Sequence, residues 1–196
     1  MEPRPANARA VFLVGFMASG KTTVGAALAR RLTWDFVDLD AEIEARAGQT
    51  IAEIFRGRGE SEFRLIEAAA LRELTESLER DTVIALGGGT FAQPSNLELL
   101  KPWPSIFLDA PVEELWRRSQ QEDKKRPLRS NFPDFARLHE TRLPFYRKAL
   151  VTIVTSGRDE ASLCGEIESI LQFWDKSASA VSSQAPLTHF ETGETK

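Results

Sequence analysis

With 196 residues and 42% hydrophobic side chains, the chain suits one domain with a sizeable core and is too short for a second full domain. A formal charge of −4 and an isoelectric point near 5.4 argue against a nucleic-acid surface, although Lys124, Lys125 and Arg126 form a local basic cluster. The lone Cys164 excludes an internal disulfide, and with only His139 and His189 there is no His/Cys metal site, which together fit a reducing cytoplasm.

In chain order, residues Met1 to Ala8 carry two prolines and little apolar content and read as a loose, disordered leader. Arg4 and Arg9 followed by the apolar run Ala10 to Ala18 superficially resemble a secretory signal, but cleavage there would destroy the strongest motif of the chain. That motif starts from a buried strand, Ala10 to Val14, and runs Gly15-Phe-Met-Ala18-Ser19-Gly20-Lys21-Thr22, followed by Thr23 and an amphipathic helix with Val24, Leu28 and Leu32. It fits the P-loop pattern in every fixed position. Glycines let the backbone curl so that its N–H groups face a polyphosphate, Lys21 supplies a cation for the β and γ phosphates, and the Thr22 hydroxyl is placed to ligate Mg²⁺.

A second strand, Phe36 to Leu39, leads into Asp38-Leu39-Asp40. Strand alternation would send both carboxylates to one side, one to orient Mg²⁺ or its water and the other to hold a substrate hydroxyl; a plain helix cap is the competing reading. Thr50-Ile-Ala-Glu53 is a capping box opening a helix with Ile51, Ile54 and Phe55, and Glu60 to Leu78 continues as an amphipathic segment. Within it Arg64 and Glu67 stand one turn apart beside Phe63. They either form an intrahelical ion pair, or Arg64 forks onto a planar carboxylate.

The third strand, Thr82 to Leu86, ends in Gly87-Gly88-Gly89, which is either a flexible turn or a place where bare backbone approaches a ligand. A fourth strand, Ser105 to Leu108, precedes a helix opened by Pro111 with Val112, Leu115 and Trp116. The polar run between Ser119 and Phe132 is a solvated loop or, in a phosphoryl-transfer enzyme, a lid carrying Arg126 to the transferring phosphate. His139-Glu140 lacks a second histidine at zincin spacing and reads as a solvated helix face. Arg142-Leu-Pro-Phe-Tyr146 offers a second arginine for an acidic ligand, a fifth strand spans Leu150 to Val154, and the Ser-, Ala- and Thr-rich stretch from Lys176 to Lys196 reads as a disordered tail. Alternating strands and helices predict an α/β parallel sheet covered on both faces, with ligands beyond the carboxyl ends of its strands.

From about Ala10 to Leu171 these motifs, in this order, resemble the shikimate kinase family: the phosphate loop, Asp38-x-Asp40, GQTIAEIFRGRGESEFRLIE, Gly87-Gly-Gly89, Arg126-Pro-Leu and Arg142-x-Pro-x-Tyr146. The resemblance implies a three-layer fold akin to nucleoside monophosphate kinases, with a five-stranded parallel sheet over residues 9–174 and a lid at about 119–132. It also implies transfer of the ATP γ-phosphoryl to the 3-hydroxyl of shikimate. By the same resemblance the nucleotide contacts are Gly15, Ala18, Ser19, Gly20, Lys21, Thr22 and Thr23, with Arg126 meeting the phosphates and Arg118 packing on adenine. Thr22 and, through water, Asp38 would serve Mg²⁺, and Asp40 would accept or orient the hydroxyl. Arg64, Arg142 and the glycines Gly87 to Gly89 would hold shikimate in a pocket shaped by Phe55, Phe63 and Glu67. Ala18 stands where relatives usually carry a third glycine, and the spacer between Arg126 and Arg142 is shorter than in many of them. The expected protein is a monomeric cytoplasmic kinase working on ATP and shikimate without nucleic acid or membrane. A gluconate or nucleoside monophosphate kinase and a silent nucleotide-binding module are the rival readings.

Overall fold

The computed structural model describes residues 9–121 and 131–182, with 176–182 as backbone alone. The expected leader 1–8, the middle of the expected lid with Arg126, and the chain beyond 182 lie outside the described residues. The strands are β1 (Ala10–Val14), β2 (Asp35–Asp38), β3 (Thr82–Ala85), β4 (Ser105–Asp109) and β5 (Val151–Val154), within one or two residues of their predicted bounds. All pair in parallel in the order β2-β3-β1-β4-β5.

Burial follows the pleat, as expected for a parallel sheet covered on both sides. Phe12, Val14, Ile84 and Phe107 point into one core, and Val11, Leu13, Val83, Ile106 and Leu108 into the other. The second core is closed by α1 (Lys21–Leu32), through Val24, Ala27 and Leu28, and by α7 (Glu160–Ser182), through Leu163, Cys164, Ile167 and Leu171. The first is covered by α2 (Leu39–Ala47), α3 (Ile51–Glu76), α4 (Pro94–Leu100), α5 (Val112–Gln121) and α6 (Phe132–Tyr146). Trp103 packs edge-on against Phe12 there, with ring centroids 6.1 Å apart.

Several expectations are corrected. β2 ends at Asp38 and α2 starts at Leu39, so strand alternation does not place Asp38 and Asp40. The edges of the expected lid are helical: Ser119 is a buried residue of α5 whose hydroxyl donates to Trp116 O at 2.8 Å, and Phe132 opens α6 under an Asn131 cap. The helix α7 runs on to Ser182, past the Lys176 at which the tail was expected to begin, because Ser177 to Val181 contains no breaker and alternates serine with the strong helix former alanine.

Candidate active site

The sheet order brings three loops together. β1 lies next to β3, and β3 next to β2, so the segments leaving their carboxyl ends meet over one edge of the sheet. The ladder extends beyond the strands, with Leu86 N donating to Leu13 O at 3.0 Å, which sets the glycine loop against the phosphate loop.

In the phosphate loop, Gly15 takes φ 150° and Gly20 φ 92°. A Cβ at Gly15 would stand 2.7 Å from Leu108 O and from Ser19 Oγ, so only glycine fits that turn. Ala18 adopts φ 62°, the left-handed region that a third glycine would enter freely, at a cost of about 1–2 kcal/mol for an L-residue. Helix α1 begins at Lys21 with no side-chain cap on Gly20 and no acidic residue in its first turn, which leaves its leading N–H groups and positive dipole end to an anion. Lys21 Nζ donates to Gly15 O and Phe16 O at 3.0 and 2.9 Å, folded along the loop it serves.

Ala18, Gly20, Lys21, Thr22 and Thr23 line one side of a cavity whose other side is Asp38, Asp40, Leu86 and Gly88. Across it Thr22 Oγ1 donates to Asp38 Oδ2 at 2.6 Å. The remaining oxygen of Asp38 caps α2, accepting from Asp40 N at 3.1 Å and Ala41 N at 3.3 Å. The helix-cap reading of the acidic pair holds: Asp38 caps α2 while facing the phosphate loop, and Asp40, in the first turn of α2, lies on the cavity wall. Among the described residues no cluster of three His, Cys, Asp or Glu side chains could enclose a metal. The Thr22 and Asp38 oxygens are nonetheless hard donors, and they fit a Mg²⁺ ion that completes its shell with phosphate and water.

The glycine loop is where the other predicted residues converge. A Cβ at Gly87 would collide with Asp40 Oδ1, one at Gly88 would stand 3.5 Å from Arg142 Nη1, and one at Gly89 would come 2.5 Å from Arg64 Nη1. Three consecutive residues thus each face a different predicted side chain, two of them guanidinium groups. Arg64 lies over Phe63 at 5.2 Å and Phe55 at 6.0 Å, and those rings are 4.7 Å apart. The intrahelical pair is also formed: Arg64 Nη1 donates to Glu67 Oε2 at 2.9 Å and Nη2 to the exposed Glu60 at 2.9 Å. Burial works against the Arg64 charge, and Glu67 and Glu60 more than offset it, holding its pKa above the usual value. Its Nε is buried with no hydrogen-bond partner among the described residues.

Helix α6 presents a buried stripe at helical spacing, Phe135, His139, Arg142 and Tyr146. Arg142 is buried and lies 5.9 Å over Phe16 of the phosphate loop. The Tyr146 hydroxyl donates to Gly88 O, and burial pushes that phenol well up, against the pull of the Arg142 guanidinium. His139 corrects the sequence reading. It is buried rather than solvated, its ring edge-on to Phe16 at 5.2 Å, because the apolar stripe and not Glu140 sets the face it occupies. Arg118 stands apart on α5, paired with Glu114 at 2.6 Å and donating to Thr155 Oγ1 at 3.3 Å just beyond β5. Sequence reasoning missed Thr90, buried against Glu67, whose only signal was its place directly after the three glycines.

A family model described as "Shikimate kinase" matches residues 17–172. Shikimate kinase of Persephonella marina is 38% identical over 160 residues, 81% of this chain and 96% of its own length. The enzyme of Bordetella pertussis is 42% identical over 151 residues, 75% of this chain and 70% of its own. Among solved structures, shikimate kinase from Acinetobacter baumannii in complex with shikimate superposes with TM-score 0.78 at 37% identity, over 84% of this chain and 93% of that one. A gluconokinase from Sinorhizobium meliloti aligns with TM-score 0.54 at 17% identity, over 85% of this chain and 97% of its own, a likeness of fold alone.

Proposed function

Since the chain belongs to the shikimate kinase family, we propose that it transfers the γ-phosphoryl group of ATP to the 3-hydroxyl of shikimate, giving ADP and shikimate 3-phosphate. The observation that carries the reading is the convergence of Arg64 and Arg142 on adjacent glycines beside the phosphate loop. A buried guanidinium, Arg142, and a partly buried one, Arg64, next to a polyanion cradle suit an acceptor that carries a carboxylate.

On this reading the residues divide the work. The amides of the loop and of the start of α1, from Gly15 through Ala18, Ser19 and Gly20 to Thr23, hold the phosphates, and Lys21 leaves the Gly15 and Phe16 carbonyls to reach them. Mg²⁺, held by Thr22 and through water by Asp38, would neutralise the β and γ oxygens. Asp40 takes the proton from the substrate hydroxyl as its oxygen bonds to the γ-phosphorus and the bond to ADP breaks. Arg64, Arg142 and the Gly88 amide orient the acid against walls of Phe55, Phe63 and Glu67. Arg126, outside the described residues, meets the transferring phosphate, and Arg118 packs on adenine. On this reading the protein is a monomeric cytoplasmic enzyme with small-molecule partners only. Among the described residues no helix is long and apolar enough to cross a membrane.

A coupled ADP-release assay across shikimate, gluconate and AMP tests the reading. Turnover is expected with shikimate alone, and faster turnover with gluconate or AMP overturns it. In the same assay Asp40→Asn should lower kcat by about 10²- to 10⁴-fold while ATP affinity is kept, since an amide cannot accept the proton. Near wild-type turnover in that variant would remove Asp40 from the role of base.

A further inference from the structure

Thr90 is fully buried, with 0% of its surface exposed, and its hydroxyl donates to Glu67 Oε1 at 2.6 Å. The other oxygen of that carboxylate accepts from Arg64 Nη1 at 2.9 Å, and Glu67 itself is 1% exposed. A carboxylate removed from water in this way is tolerated only while both oxygens have donors. Arg64 also reaches Glu60, but that carboxylate is 62% exposed and screened, so the inner bond to Glu67 dominates the aim of the guanidinium.

The backbone of Thr90 is fixed as well. Its N–H closes a turn onto Gly87 O at 3.2 Å, and its carbonyl accepts from Asn96 Nδ2 at 3.0 Å, a side chain only 2% exposed. A Cβ at Gly87 would stand 2.9 Å from Thr90 Oγ1 and 3.1 Å from Glu67 Oε1, so the hydroxyl and the carboxylate meet directly under the glycine loop. One side chain thereby ties the loop that offers the Gly88 amide to the helix that offers Arg64.

We propose that Thr90 is a positioning residue for the acid-binding half of the site: its hydroxyl fixes the rotamer of Glu67, which in turn aims Arg64 at the carboxylate of the acceptor. The inference rests on the functional reading given above.

Thr90→Val keeps the shape and removes the hydroxyl, and Thr90→Ser keeps the hydroxyl. Steady-state kinetics of Thr90→Val should show KM for shikimate raised roughly 5- to 20-fold with KM for ATP unchanged, the signature of one lost buried partner. Thr90→Ser should lie near wild type. In an Arg64→Ala background the effect of Thr90→Val should vanish, because the arginine through which it acts is gone. If Thr90→Val does not fold, Thr90→Ala against Thr90→Ser makes the same comparison without apolar bulk beside the carboxylate. An unchanged shikimate KM, an equal rise in both KM values, or an effect that persists without Arg64 overturns the proposal while wild-type shikimate turnover stands. Absence of shikimate turnover in the wild type overturns the functional reading, and this inference with it.

Discussion

His139 puts an ionisable ring into an apolar slot between α6 and the phosphate loop, with its Nε2 buried and unpartnered among the described residues. Burial pushes its pKa down, and this outweighs Asp109, Glu140 and Glu113, which pull it up; Arg147 adds to the depression. The folded protein therefore prefers the neutral imidazole, whereas the unfolded chain takes up a proton near pH 6.5. The contribution of His139 to stability is complete above that pH and is lost as pH falls from there to the depressed native value, below which it changes no further. Denaturant midpoints at several pH values should show His139→Leu losing less stability than wild type as pH falls below about 6.5. Parallel curves for the two proteins would refute this. The lack of a second histidine at zincin spacing excludes a metal site but does not say which face of the helix His139 occupies. Helical spacing with Phe135, Arg142 and Tyr146 is the signal that puts it on the buried face.

At the scale of elements, α3 is two helical segments joined at Gly59, which takes φ 80° and ψ 171°. The first carries Phe55 under its capping box, in which Thr50 N donates to Glu53 Oε2 at 2.8 Å, and the second carries Phe63, Arg64 and Glu67. The bend lets Phe55 and Phe63 close to 4.7 Å and shape one wall. A Cβ at Gly59 meets nothing within 4 Å, so the penalty of Gly59→Ala is purely one of backbone conformation, about 1–3 kcal/mol. Chemical denaturation should register that loss, and shikimate KM should rise as the wall shifts. A variant as stable as wild type would show that the bend is not required. The capping box and both segments were legible in the sequence, as were the strands, because apolar runs and caps are local signals. The bend was not, since glycine spacing does not say which glycine leaves the helical region.

For the whole molecule, the order of motifs was readable because each follows a strand, and a parallel sheet sends everything after its strands to one end. Hence residues of the phosphate loop, Asp38 and Asp40, and Gly88 line one cavity. Bonds across elements could not be read: Thr22 to Asp38, Thr90 to Glu67, and Tyr146 to Gly88 depend on how α2, α3 and α6 settle on the sheet. No local pattern records that packing.

Cys164 sits on the inward face of α7, its Sγ 3.8 Å from Val24 O across the seam with α1, and burial pushes its thiol pKa up. A raised pKa starves it of thiolate and the seam denies reagents access, so the side chain should stay silent until α7 peels off the sheet. The fold has in effect a built-in stopwatch for its own opening. Thiol–disulfide exchange with a chromogenic disulfide, which releases its coloured thiolate, should proceed at the opening-limited pace and slow further with saturating ATP, whereas prompt labelling of the native protein would mean that this side of the sheet breathes freely.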